Sequence, residues 1–168
     1  MSTLLRSLTG LRLAAALLLG LAAAGAQAAP MKAAVFPFQF DDTSPEPPQP
    51  AERARLHKID TQLQQLLASS GRYVLVSTTP VSAQVNAQAL DSCQACAVSL
   101  ARQLGADVAI VGWVQKVSNL ILNINVVIRA VPSGQIIAFG GVSIRGNTDA
   151  SWSRGLESLV KNQLLAGG

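Results

Sequence analysis

The stretch VGWVQKVSNLILNINVVIR, residues 111–129, decides how the chain folds. It is strongly apolar and rich in β-branched residues, as paired strands are. Yet it carries Gln115, Lys116, Asn119, Asn123, Asn125 and Arg129. Alternation with period two separates the faces of a strand, so the turns decide which face each polar residue joins. A two-residue turn at Ser118-Asn119 opposes Val117 to Leu120, Gln115 to Leu122, Trp113 to Ile124 and Val111 to Val126. A three-residue turn at 132–134 opposes Ile128 to Ala138, Ile124 to Val142 and Leu122 to Ile144, which extends one apolar core face over three strands. The other face then holds rows: Lys116, Ile121 and Arg145; Val114, Asn123 and Ser143; Gly112, Asn125 and Gly141; Val108, Arg129 and Ile137. An antiparallel sheet often leaves one side wet, so a solvated face is one reading. The other is a groove for a partner or small ligand. There Lys116 and Arg145 supply charge, Asn123 and Asn125 supply donors and acceptors, and Gly112 and Gly141 leave room for a close approach.

Working outward, residues 108–117, 120–131 and 135–145 are predicted as an antiparallel three-strand meander. KAAVFPFQF, residues 32–40, reads as a first strand with an edge position or bend at Pro37. DDTSPEPPQP, residues 41–50, is a Pro-rich loop, because its prolines remove donors and fix φ. Leu56, Ile59, Leu63, Leu66 and Leu67 form one stripe of a helix over 52–70 that Gly71 ends. RYVLVS, residues 72–77, is a second strand, and 78–92 shows no clear pattern. Asp91 or Ser92 starts a helix that Gly105 ends, and Thr148 or Asn147 caps a last helix bearing Trp152, Leu156, Leu159, Val160 and Leu164. The order β-α-β-α-β-β-β-α predicts a single α/β (α+β) domain with a mixed sheet of about five strands.

The amino terminus sets the compartment. Arg6 and Arg12 flank an Ala/Leu-rich core that ends in Ala26-Gln27-Ala28, the pattern of a secretory signal with a small-x-small cleavage site. The expected organisation is a signal peptide over 1–28 and one periplasmic domain over 29–168, with no stable membrane anchor after cleavage. Losing Arg6 and Arg12 with the signal lowers the formal charge from +4 to +2. No Lys/Arg cluster or aromatic platform remains for nucleic acid.

Cys93-Gln94-Ala95-Cys96 lies where thiols oxidise, and an intrachain disulfide is the simplest reading; thiol-disulfide catalysis is the alternative. Ala97 stands where covalent haem attachment needs His, and the mature chain has too few Cys and His for structural zinc. His57 is the only histidine, and its basic helical surroundings of Arg53, Arg55 and Lys58 read as a solvated face rather than a catalytic relay. Asp41, Asp42, Thr43 and Ser44, with Glu46 after them, read as a capped turn or as hard oxygen ligands for calcium; the spacing is not that of an EF-hand. No cofactor or resident metal is expected.

DDTS, CQACA, LGADVAIVGWVQKVSNLILNINVVIR and SIRGNTDASWSRGLESLVKNQL resemble an uncharacterised family of exported proteobacterial proteins with a domain-of-unknown-function label (DUF3280/DUF2380-like). The resemblance carries over Asp42, Thr43, Ser44, Cys93, Cys96, Gly112, Trp113, Lys116, Asn119, Arg145, Asn147, Asp149, Trp152 and Arg154. The loop PEPPQP departs from the family's more Gly-containing one. More distantly, VFPF, LARQLGAD and VGWV are similar to the amino-terminal domain of TolB and the periplasmic domain of the curli secretion protein G. That likeness implies docking rather than catalysis. The family resemblance also implies an accessory role beside quinoprotein alcohol dehydrogenase systems. The sequence thus points to a non-enzymatic periplasmic protein that binds another envelope or periplasmic protein. The partner-binding candidates are Lys116, Asn119, Asn123, Asn125, Arg129, Arg145, Asn147 and Asp149. The alternatives are a thiol-disulfide protein and a carrier of a small ligand or metal.

Overall fold

The computed structural model describes residues 29–166; the expected signal peptide and cleavage site lie outside the described residues. The elements are β1 (Met31–Val35), β2 (Gln39–Asp42), α1 (Pro50–Ser69), β3 (Tyr73–Val76), α2 (Ser82–Asn86), α3 (Gln94–Gln103), β4 (Val108–Ser118), β5 (Ile121–Ala130), β6 (Ile136–Arg145) and α4 (Asp149–Leu159). α4 continues as a π-helical turn, Val160–Leu164. They build a six-stranded mixed sheet in the order β3-β1-β4-β5-β6, with β2 also paired to β4. β1 runs parallel to β3 and β4, and β2 parallel to β4, while β4, β5 and β6 form the expected antiparallel meander. The stretch 78–92, without a clear sequence pattern, holds a short 3-10 turn and α2.

The predicted first strand is two strands, because Pro37 has no N–H for the ladder and interrupts it. The break also reverses side-chain parity. Phe36 enters the core under α2 and α3, whereas Phe38 enters the core under α1 and α4. In an unbroken strand both rings would share a face. Gly112 of β4 gives Phe38 its seat: a Cβ there would stand 2.5 Å from the ring.

The β5–β6 register is the predicted one through Leu122–Ile144, Ile124–Val142 and Ile128–Ala138. An irregularity at its end pairs Arg129 with Ile136 rather than Ile137. The β4–β5 register is not the predicted one. A bulge between Lys116 and Ser118 sets Val117 out of the ladder, so Lys116 opposes Leu122, Gln115 opposes Asn123 and Trp113 opposes Asn125. One extra residue in a strand turns everything before it to the other face. Lys116, Val114 and Gly112 therefore face the α1/α4 core, and Gln115, Trp113 and Val111 face the other way.

α1 and α4 pack together, and α4 lies on β5 and β6. Ile59, Leu63 and Leu67 of α1 and Trp152, Leu156 and Leu159 of α4 are buried there, as their stripes predict. Gly155 lets α4 approach, since a Cβ would meet Ile144 at 2.5 Å. On the opposite side α3 packs against β4, and a second core forms around Phe36, Leu100, Ala109 and Val111. This cover reaches Val127 and Arg129 of β5, which are buried, while the rest of the outer face of β5 and β6 bears partly or largely exposed side chains.

Candidate functional site

The residues singled out by the sequence fall into two places, one closed and one open. The closed place lies where the loop after β2, the start of α1, the β4–β5 turn and the loop before α4 meet. The bulge at Val117 delivers Lys116 into it, with no exposed surface. Its ammonium lies 2.8 Å from Glu52 Oε1 and 3.4 Å from Asp42 Oδ2. Glu52, 2% exposed, is there because it is the N3 residue of α1, where its carboxylate accepts the Gln49 N–H at 2.8 Å. Asn147 donates to the same Glu52 carboxylate at 2.7 Å and to Asn119 Oδ1 at 3.2 Å. The Asn147 carbonyl in turn accepts from Trp152 Nε1 at 2.9 Å and from Arg55 at 3.0 Å. Asn119 also accepts from Gln49 and donates its backbone N–H to Glu46. Thr43 donates through backbone and hydroxyl to the Lys116 carbonyl. Asp42 takes both the N–H and the hydroxyl of Ser44, and Asp149 pairs with Arg55 and Lys58.

Burial opposes ionisation of Glu52 and Asp42, but their hydrogen bonds and the Lys116 charge hold both pKa values below the ordinary carboxylate range. Burial likewise opposes the Lys116 charge, and the two carboxylates overcome it and raise its pKa. Asp149 is lowered by Lys58 and then Arg55. Asp60 moves the other way, raised by burial although it accepts the Phe38 N–H. The cluster is therefore a set of charged groups held ionised by one another.

These contacts correct the expected placement of several candidates. Lys116 does not line the outer sheet face; together with Asn119 of the β4–β5 turn and Asn147 and Asp149 of the loop before α4 it joins segments of the chain to one another. Asp42, Thr43 and Ser44 belong to the same arrangement, while Asp41 is exposed beside it. Gly112 offers no open backbone, since Phe38 fills the space. Among the described residues no group of three or more His, Cys, Asp or Glu is placed to hold a metal ion. Arg129, 9% exposed, donates to the Gly134 carbonyl at 3.0 Å and straps the β5–β6 turn.

The open place is the outer face of β5 and β6. Asn123 accepts the Ser143 hydroxyl, Asn125 lies beside Gly141, and Arg145 is exposed at the end of β6. Sequence reasoning missed the aromatic pair that this face also carries: Trp113 and Phe139 have ring centroids 6.4 Å apart, and Phe139 is 52% exposed. The slipped β4 register had put Trp113 in the core. A cleft of about 130 Å³ lies beneath them, lined by Leu90, Val127, Arg129 and Ile136 among others. Cys93 and Cys96 are joined, as expected, at the start of α3, where their neighbours Gln94 and Ala97 line the cleft beneath the aromatic pair.

A family model described as "Protein of unknown function (DUF2380)" matches residues 31–164. No curated protein matches the chain in sequence. Among solved structures, the LpoB C-terminal domain from Salmonella enterica is similar, with 17% identity over 72% of this chain and 87% of that one, at a TM-score of 0.52. The E. coli LpoB structure gives 18% identity over 71% of this chain and 58% of that one, at 0.53. Lipoprotein GNA1162 from Neisseria meningitidis gives 16% identity over 83% of this chain and all of that one, at 0.51. What is shared with these proteins at such identities is the fold.

Proposed function

The chain belongs to the DUF3280 family, and from that premise we propose that it is a non-enzymatic accessory module of the periplasm that docks another envelope or periplasmic protein on the outer face of β5 and β6. The observation that carries this reading is the Trp113–Phe139 pair at the margin of the second core, with Phe139 half-exposed and Trp113 partly buried, set beside Asn123, Asn125, Ser143 and Arg145. Aromatic anchors ringed by polar groups are what binding surfaces concentrate. A non-catalytic role is supported by the condition of the titratable groups. Lys116, Glu52, Asp42 and Asp149 are each committed to partners within the chain. The export pattern of the first residues and the fold shared with lipoprotein GNA1162 are in keeping with an envelope setting. The kinship to the TolB and curli domains and the link to quinoprotein alcohol dehydrogenase systems rest on the sequence resemblance alone.

Affinity capture of the tagged mature chain from its own periplasm tests the reading. An envelope protein should be retained by the native chain and lost from folded Trp113→Ala/Phe139→Ala and from folded Arg145→Glu. Retention by all of these variants rejects the face. A thiol-disulfide role is the second reading, favoured by the bond at the start of α3 and by Cys96 lining an open groove of about 340 Å³ with Gln84 and Gln88. A bond that resists a glutathione titration removes it.

A further inference from the structure

β6 borders the bare face and is also the last strand of the sheet. An edge strand presents N–H and C=O groups that no neighbouring strand takes up. Gly141 shows which residues of β6 point outward: its N–H donates to Gln163 Oε1 at 3.0 Å, and its carbonyl accepts from Gln163 Nε2 at 3.1 Å. The Gln163 amide, carried on the π-helical turn after α4, occupies one rung as the peptide group of an added strand would. Strand alternation aims the main-chain groups of Phe139 and Ser143 the same way, since the register with β5 is unbroken between them. Among the described residues no side chain meets those groups. The side chains of Phe139 and Ser143 lie on the bare face, so edge and face form one continuous surface.

Two features define what fits there. From Val108 to Thr148 the sequence has Lys116, Arg129 and Arg145 and no Asp or Glu. Lys116 is neutralised internally, and Arg145, next but one to Ser143, makes no ion pair among the described residues. The uncompensated charge is positive. The apolar exposure at the edge comes from Ile136, Ile137 and Phe139, at 53%, 48% and 52%. That amounts to a few hundred Å², on the order of what one or two aromatic side chains bury, and falls short of the roughly 800 Å² per partner of a stable protein pair. A single extended segment is matched to it; a second folded copy is not.

Building on the docking surface above, we propose that β6 receives an extended segment of a partner protein as a seventh strand, with apolar residues laid against Ile137 and Phe139 and a carboxylate at the Arg145 end, and that Gln163 leaves Gly141 as the segment pairs.

The probe is a fluorescein-labelled ten-residue peptide of alternating Val and Thr ending in two Glu, titrated against the purified chain by polarisation. Saturable binding that weakens with salt is expected. Ser143→Pro removes an outward N–H without touching the ladder to β5, and should weaken binding at least tenfold. Gln163→Ala vacates the guarded rung and should tighten it severalfold. A peptide N-methylated on every residue, which has no N–H left on either edge, should not bind. Absence of binding by the unmodified peptide overturns the proposal, and so does equal binding of the methylated one, an arm that does not depend on how any variant folds. A dimer in sedimentation that Ser143→Pro dissolves also overturns it, in favour of a second copy. If strand pairing fails these tests while Trp113→Ala/Phe139→Ala still abolishes periplasmic capture, the docking face stands and only its mode is wrong.

Discussion

Lys116 and Phe139 sit on opposite faces of the same three strands, and each departs from what its face would ordinarily hold. Lys116 is a cation in a core, and Phe139 is an aromatic ring half in water. Around Lys116 the chain answers each charge with another group: Glu52 and Asp42 at the ammonium, Asn147 and the Gln49 N–H at Glu52. Around Phe139 the chain supplies one aromatic neighbour and leaves ring, amides and strand edge open. A polar residue in a strand is thus ambiguous by itself; its partners tell structure from recognition. Where hydrogen-bonding capacity is exhausted internally the residue joins segments, and where capacity remains the surface is available to another molecule.

The sharpest way to break this contrast is Lys116→Met. It leaves Glu52 buried without its counter-charge, so stability should fall by about 3–5 kcal/mol in chemical denaturation at neutral pH, while the fraction still folded captures partner normally. Lost capture in folded protein would merge the two places into one. The pH dependence follows from the directions of the shifts. Glu52 and Asp42 titrate below their unfolded values, so their contribution is complete above about pH 4–5 and is lost as pH falls through the depressed pKa values. Lys116 titrates above its unfolded value, so its contribution is complete below about pH 10 and is lost as pH rises through the raised one. In Lys116→Met the uncompensated Glu52 becomes easier to protonate, and the deficit against the native chain should shrink between pH 7.5 and pH 5.

On the open side the signs reverse. Phe139→Ala should reduce partner capture by the roughly 2 kcal/mol typical of an anchor, about thirtyfold, with a stability loss under about 1 kcal/mol, as suits a half-exposed side chain. Cys93→Ser/Cys96→Ser should cost about 1–2 kcal/mol, because the closed loop is short; neither cysteine lines the cleft under the aromatic pair, so capture should be unchanged. Asn123→Ala/Asn125→Ala is the mildest, weakening capture severalfold with stability within about 0.5 kcal/mol of native. Unfolding by that pair would make the amides internal supports and erase the contrast.

Much of this was legible in the residues. The stripes of α1 and α4, the meander and the β5–β6 register follow from periodicity and turn length, which are local, and the disulfide from two cysteines three residues apart behind an export pattern. The β4–β5 register does not, because a bulge adds one residue next to a short turn and leaves the alternation on either side intact. That single residue moved Lys116 from the expected outer face to the core and brought Trp113 out to join Phe139. Glu52 had a local signal, standing three residues after Gln49 with Pro50 at the first helical position. Its pairing with Lys116 had none, since the two are brought together only by the packing of α1 and α4 on the sheet. Gln163 reads as an ordinary polar helical residue until the edge it covers is seen.

The interruption at Pro37 ties the molecule's two layers of packing to one short peptide. Phe36 belongs to one hydrophobic layer and Phe38 to the other, so this short peptide couples the packing of the two. Heating should therefore give one calorimetric peak whose van't Hoff and measured enthalpies agree, and a flexible substitution such as Pro37→Gly should broaden that transition before it lowers its midpoint.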